Sequence, residues 1–480
     1  MSDDRRLVGI DLGIASDHTV RVLDGRGGEV CRRRARPTVE SLTATETAAL
    51  AGAAAGVRLE VVIEPTGPAW LPIAVFFTAR GHRVFRVSSA KAADLRRFLS
   101  RHAKSNGIDA DTLARLPLLA PGSLHPLELP ATAQAAALDR RVRACDRLTQ
   151  QAALHQRRIK DLVRQLMPVT PLTGELTKTD LAVLDRWPDP RALLAAGRTR
   201  LLALITKTSH GQQGADRAEQ WRQAALAAVA LYAEHPAMAW SDLAAEVATE
   251  VRLLAAVRAE LAAHAAARTE AYRFTDPARL AASLPGLAEV GAPAVTAIVG
   301  RAARFRTGRQ FRSFTGLAPR ASETGETDRK GQPMSKAGNR LLRTTLIRAA
   351  DNARRQDPQL AKIYYVQMVE RGADHLKACC VVAAHLAERL HAVLVRGMPY
   401  VVCDTDGTPV DPPTAKQLIA EHWTVPREVR ARRRSRKPAP PTRRAGKAPQ
   451  QVLTGHDRPD PRRADGRGDL PRIPSCSRPA

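Results

Sequence analysis

The stretch that most constrains this chain is Leu7-Val8-Gly9-Ile10-Asp11-Leu12-Gly13, an apolar run interrupted by one carboxylate. An alternating stretch comes next, His18-Thr19-Val20-Arg21-Val22-Leu23-Asp24, then a turn at Asp24-Gly25-Arg26-Gly27-Gly28 and a third run from Glu29-Val30-Cys31. This pattern predicts a three-stranded antiparallel meander with Asp11 in the middle of its first strand. An isolated carboxylate is costly in a strand buried on both faces, so Asp11 needs a partner. Capping the strand or accepting backbone hydrogen bonds meets that need locally. A divalent cation meets it if other acids converge on the same place.

Two further acidic stretches make convergence the better expectation. Leu59-Glu60-Val61-Val62-Ile63-Glu64 reads as a strand ending in an acid, because Pro65 stops it at once. That puts Glu64 at the C-terminal edge of the sheet, where sites in open α/β sheets lie. Lys104-Ser105-Asn106-Gly107-Ile108-Asp109-Ala110-Asp111 places more acids at the start of a helix. Helices are expected over 39–55, 69–80 and 90–101, with a fifth strand over 82–87, and Pro117 with Pro121–Pro130 forms a break. The order β-β-β-α-β-α-β-α is that of an RNase H-like sheet, in which the first and fourth strands are neighbours and Asp11 faces Glu64.

The remaining chain divides on pattern and charge. Residues 1–125 form the α/β domain, 126–275 a helical or coiled-coil region, 276–400 a mostly helical C-terminal domain, and 401–480 a basic, Pro-rich, largely disordered tail. Two long amphipathic helices are expected in the middle, over 131–166 and 217–272, the second broken near His235-Pro236. They fit an antiparallel coiled coil, a dimerising arm or an ordinary bundle. Leu284-Pro285-Gly286-Leu287 followed by 294–300 reads as a helix-hairpin-helix-like element that offers N–H groups to a phosphate. A long polar loop over 314–339 leads into a helix. Lys336, Asn339, Arg340 and Arg343 stand at its start, suited to holding a phosphate.

The formal net charge of +27 calls for a polyanionic partner, and 4% aromatic content argues against single-strand binding by stacking. The six cysteines show no CxxC spacing, which disfavours a zinc site and fits a reducing cytoplasm. No signal peptide and no apolar stretch of the ~20 residues needed to span a bilayer are expected.

Taken together, these motifs resemble the transposases of the insertion-sequence-110 type. The carrying residues are Gly9-Ile10-Asp11, Ile63-Glu64-Pro65-Thr66-Gly67, Lys104-Ser105-Asn106 with Ile108-Asp109-Ala110, Leu284-Pro285-Gly286, Gly316-Leu317-Ala318-Pro319, and Ser335-Lys336-Ala337-Gly338-Asn339 with Leu342-Arg343. The resemblance implies a RuvC-like DEDD catalytic domain in a cytoplasmic, nucleoid-associated bacterial protein. It further implies a Mg²⁺ or Mn²⁺ site on Asp11, Glu64 and Asp109, DNA recombination through a covalent phosphoserine, a guide RNA made by the element, and a homodimer or homotetramer.

Two positions depart from the family pattern. Asn106 stands where the family has the first of two acids three residues apart. It can offer a carbonyl oxygen to Mg²⁺ but no charge, and Asp111, two positions from Asp109, points elsewhere on a helix. Thr324 stands in the family's serine position, with Ser322 two residues earlier. The less hindered primary hydroxyl favours Ser322, with Arg329, Lys330, Lys336 and Arg343 as counter-charge to the reacting phosphate.

Three other classes compete. A structure-selective endonuclease of the Holliday-junction-resolvase kind would use the acids without a covalent intermediate. A sugar kinase or actin-like ATPase shares the Gly9–Gly13 pattern but needs a second Asp-Gly turn and an adenosine loop that the sequence lacks. A non-catalytic nucleic-acid scaffold is compatible with Asn106.

Overall fold

The computed structural model describes residues 4–99, 105–172, 174–233, 235–320, 323–324, 327–328 and 332–434. Five strands form one sheet: β1 (Arg6–Asp11), β2 (His18–Asp24), β3 (Glu29–Ala35), β4 (Leu59–Ile63) and β5 (Arg83–Arg86), in the order β3-β2-β1-β4-β5. β1, β2 and β3 form the expected antiparallel meander, while β4 lies parallel to β1 and β5 parallel to β4. The β2–β3 turn closes because the Asp24 carboxylate accepts the N–H groups of Arg26 and Gly28, both at 2.8 Å, while Gly27 takes φ 88°.

Four helices complete this domain: α1 (Val39–Leu50), α2 (Trp70–Ala79), α3 (Ser89–Leu99) and α4 (Asn106–Leu119). Side-chain alternation divides the sheet's apolar residues between two layers. Val8, Ile10, Val20, Val61 and Ile63 bury against α1 and α2. Leu7 and Leu23 meet Ala114 of α4, and Val62 and Phe85 meet Leu113 and Leu116 of the same helix. Two expectations shift. Asp11 is the last residue of β1 rather than a mid-strand residue. Pro117 does not break the chain but lies in the last turns of α4, because Leu116 and Pro117 are both buried there and that packing outweighs one lost backbone hydrogen bond.

The middle of the chain holds an intrachain antiparallel pair, α5 (Ala133–Leu166) and α9 (Trp240–Thr275). His155 meets Glu250 at 2.6 Å and Arg141 meets His264 at 3.1 Å, as antiparallel register requires. The expected break at 235–236 separates α8 (Ala215–Tyr232) from α9. α6 (Lys178–Arg186), α7 (Pro190–Thr208, kinked at Gly197) and α8 pack on the far end of the pair around the fully buried Trp221. The near end merges with the C-terminal domain, whose core includes Leu138, Val142 and Tyr272.

The C-terminal domain contains α10 (Gly291–Val299), α11 (Gly308–Thr315), a hairpin of β6 (Glu323–Thr324) and β7 (Thr327–Asp328), α12 (Arg340–Ala353), α13 (Pro358–Tyr365), α14 (His375–Arg396), α15 (Pro412–His422) and α16 (Arg427–Arg434). α14 is long and apolar enough to cross a bilayer, contrary to the expectation of no such stretch. It is instead the central core helix, with Val382, Ala383, Leu386 and Leu390 fully buried.

Residues 401–434, expected as part of the tail, are ordered against the domain. Ala415 and Val425 are buried, and the Tyr400 hydroxyl donates to Asp357 at 2.6 Å, tying 400–434 to the domain. Residues 435–480 lie outside the described residues. The Pro285-Gly286 turn follows a single 3₁₀ turn, Ala281–Ser283, rather than a helix. It faces inward: a Cβ on Gly286 (φ 81°) would stand 2.2 Å from the Ala349 carbonyl of α12. Its role is packing.

Candidate active site

The site is built by one close approach and one register. A Cβ on Gly9 would lie 2.0 Å from the Ala110 carbonyl and 2.4 Å from the Ala114 N–H nitrogen, so only glycine lets α4 rest directly on β1. This brings the first turn of α4, and Asp109 within it, over the strand that ends in Asp11. The register pairs Ile10 of β1 with Ile63 of β4 in parallel. Asp11 and Glu64 are therefore the next residues on two adjacent strands, roughly 5 Å apart in backbone spacing. The loops beyond them also touch, since a Cβ on Gly67 would meet the Ile14 side chain at 3.3 Å. Leu7 and Val62 pack on the α4 side, and alternation carries that face to Asp11 and Glu64. The three acids thus share one face at the C-terminal edge of β1 and β4.

The carboxylates are near one another but not gathered. Asp109 accepts from Arg96 of α3 at 2.9 Å, with both side chains mostly buried. Asp111 is held by Arg115 of its own helix at 2.7 Å and takes no part in the acid edge. Asn106 is exposed and borders a cleft on the other side of α4. Among the described residues, the one set of three His, Cys, Asp or Glu side chains with ligand atoms all within 4.8 Å of one another is Asp351, His375 and Cys379. Asp11, Glu64 and Asp109 stand wider than that. As donors three carboxylates still suit a hard cation, with a guanidinium now supplying positive charge to one of them.

The Asp351 cluster is already neutralised. Arg354 and Arg355 hold the two Asp351 oxygens at 2.8 and 3.0 Å, and the Tyr364 hydroxyl meets His375 Nδ1 at 2.8 Å. Burial, and then the Asp351 charge, push the Cys379 thiol up to about 12, so it stays protonated. This is a packed polar network, not a ligand set.

The C-terminal residues chosen from sequence are placed less simply. Ser322, Arg329 and Lys330 lie outside the described residues, and Thr324 lies in β6. The expected long polar loop contains the β6–β7 hairpin, and its base is tied by Ser335 N–H to Ala318 O at 2.8 Å and Arg320 N–H to Pro333 O at 3.0 Å. Gly316 and Gly338 close it: a Cβ on Gly338 would stand 2.4 Å from the Gly316 nitrogen. Asn339 is the N-cap of α12, accepting from Leu342 N–H at 3.0 Å. Arg343 donates to the Lys336 carbonyl at 3.0 Å, and Lys336 takes φ 57°. Lys336 and Arg340 are exposed at the helix start, with Arg340 3.9 Å from Asp146 of α5. Of these four, Asn339 and Arg343 do structural work. The sequence reading missed Arg21, Arg32 and Arg34. Their signal was the run Arg32-Arg33-Arg34 in a strand, where alternate residues share a face.

A sheet in this order, with Asp11 ending its first strand, Glu64 just past its fourth and Asp109 on a helix lying across them, is the arrangement expected of a DEDD transposase. Residues 8–168 match the IS110-type DEDD transposase family, and residues 278–365 match the family described as transposase IS116/IS110/IS902. Two relatives are similar. An insertion element IS110 protein of Streptomyces coelicolor is 26% identical over 72% of this chain and 84% of its own. A "Probable family 20 transposase" of Pseudomonas aeruginosa is 46% identical over 14% of this chain. The chain spans 20% of the length of this last relative. The chain belongs to the IS110-type transposase family of insertion elements.

Proposed function

We propose that this chain cuts and rejoins DNA as the recombinase of an insertion element, through an RNase H-like, RuvC-like catalytic domain. The observation that carries the reading is the parallel β1–β4 register, which sets Asp11 at the end of β1 and Glu64 just past β4 beneath the helix bearing Asp109. A divalent cation held there, Mg²⁺ or Mn²⁺, supplies positive charge to the scissile phosphate and the leaving oxygen. Asp11 and Glu64 would hold it from the sheet and Asp109 from α4, where the Asp109 carboxylate now accepts from Arg96.

Ser322 is the nucleophile, with Thr324 as the alternative hydroxyl. Its oxygen bonds to phosphorus as the P–O3′ bond breaks, and the departing 3′ oxygen takes up a proton. A 3′ hydroxyl of the exchanged strand then attacks the phosphoserine and frees Ser322. Lys336 and Arg340, exposed at the start of α12, together with Arg329 and Lys330, offset the charge that builds on the phosphate. A guide RNA from the element and a homodimer or homotetramer complete the proposal. The chain's net charge of +27 supports nucleic-acid partners.

Asp11→Ala lowers recombination about a thousandfold or more while nucleic-acid binding persists. Recombination at the parental rate in that variant rejects the acid site. Ser322→Ala abolishes the covalent protein–DNA adduct seen on denaturing gels. An adduct that survives assigns the bond to Thr324 or another residue. A discrete RNA that co-purifies with the chain and is required for recombination supports the guide.

A further inference from the structure

Beside the acid edge, the sheet carries a second feature on the same face. Thr19 pairs with Asp11 on one side and with Arg34 on the other, and Arg21 pairs with Arg32 one row below. Alternation sets Thr19, Arg21, Arg32 and Arg34 on the α4 face. α4 covers β1 and β2 but leaves β3 open. The result is a cleft of about 660 Å³ lined by Thr19, Arg21, Arg32, Arg34 and, from the start of α4, Asn106 and Gly107. Arg33 also borders it.

The cleft holds an excess of positive charge. Arg32 is met by Glu29 at 2.6 Å, and Arg21 reaches only the Val20 carbonyl at 3.3 Å. Arg33 and Arg34 have no ion pair among the described residues. The Asp111 carboxylate nearby is engaged by Arg115. An acid at position 106 would bring a negative charge into this cleft, and asparagine does not. The Arg21 guanidinium closes over the helix start, where a Cβ on Gly107 would stand 2.8 Å from its Nη2.

We infer that this arginine-lined cleft holds the phosphodiester backbone of the DNA strand presented to the acid edge. Two strand spacings separate Arg34 from Asp11, roughly 10 Å, which is about three nucleotides of axial rise. The cleft therefore grips the strand a few nucleotides from the phosphate at Asp11. Guanidinium forks bind phosphate oxygens in pairs and do not read bases, so the grip is independent of sequence. The inference deepens the proposed function and rests on Asp11 marking the reacting phosphate.

The test uses full-length protein carrying Asp11→Ala, so that cleavage does not interfere. Binding to a fluorescein-labelled DNA duplex, and to an RNA hairpin of matched length, is followed across a salt series. Adding Arg32→Ala and Arg34→Ala, both at exposed positions, weakens DNA binding tenfold or more at low salt. It also reduces the slope of log affinity against log salt by about 2, because each lost phosphate contact removes roughly 0.9. Asn106→Asp weakens DNA binding in the same direction but less. An unchanged slope with unchanged thermal stability overturns the inference. A loss confined to the RNA hairpin overturns it in favour of an RNA backbone. The acid reading fails separately: if the chain with native Asp11 cuts no DNA in Mg²⁺ or Mn²⁺ while the slope still falls, the cleft stands and the cleavage site does not.

Discussion

Two helix starts in this molecule carry the densest motifs, and they use their polar residues in opposite ways. α4 is capped by Ser105, whose side chain accepts from Ile108 N–H at 3.2 Å. The cap lies outside the acid pattern, so Asn106 and Asp109 keep their side chains for other partners. α12 is capped by Asn339, itself one of the residues expected to hold a phosphate, and Arg343 is spent on the Lys336 carbonyl. A polar residue at a helix start serves chemistry only if another residue satisfies the backbone there. By that test the sheet domain spares Asn106 and Asp109 from cap duty, whereas the C-terminal domain uses part of its motif to hold the hairpin base in place.

Glycine substitution should break the comparison most sharply. Gly9→Ala forces a methyl group against the Ala110 carbonyl, and backbone atoms on both sides leave little room to yield. The expected cost is about 3 kcal/mol, read from chemical denaturation, and the separation of α4 from β1 takes divalent-cation binding with it. Gly286→Ala meets the Ala349 carbonyl at 2.2 Å in a backbone with φ 81°. It destabilises the C-terminal domain by a similar amount and leaves cation binding intact. If both variants lose cation binding equally, the two regions are not distinct in the way described.

The caps give the next and smaller effect. Asn339→Ala removes the side chain that satisfies Leu342 N–H and should cost about 1 kcal/mol of stability. Ser105→Ala should cost a similar ~1 kcal/mol, because it too removes one N-cap bond. Recombination separates them. Asn339→Asp keeps the cap and restores activity if the role is architectural. Failure of that rescue, with stability recovered, would return Asn339 to the phosphate-binding set.

Much of the sheet was legible in the chain. Alternation, the Asp24–Gly28 turn and the Pro65 stop gave the meander and the neighbouring β1 and β4, because strand register follows from local pattern. Gly9 was quoted only as part of a motif. Its reason, the close approach of α4, is a long-range contact that no local pattern encodes. The arginine cleft was hidden for the same cause: Arg21 and Arg32 are distant in pattern and meet only through β2–β3 pairing. Proline signals were over-read where burial intervened, as at Pro117. The charge of 401–434 concealed Ala415 and Val425, which anchor that segment to the core. Asn339 was read as a phosphate ligand because a cap and a ligand share the same residue types at the same helix position.

The smallest expected effect sharpens the comparison through pH. His18, in β2 next to Thr19, is buried, and burial lowers its pKa against the opposing Asp17 charge and a backbone hydrogen bond at Gly13. The unfolded chain binds this proton near pH 6.5, before the folded one does. Its contribution to stability is therefore present above about pH 6.5 and is lost as the pH falls through the lower folded value. The start of α12 carries Lys336, Asn339, Arg340 and Arg343 and no histidine. Thermal melts between pH 7.5 and about 5 should show the sheet domain weakening. His18→Leu should remove that contribution and flatten the slope. An equally steep decline in the leucine variant would place the pH sensitivity elsewhere and remove this distinction between the two regions.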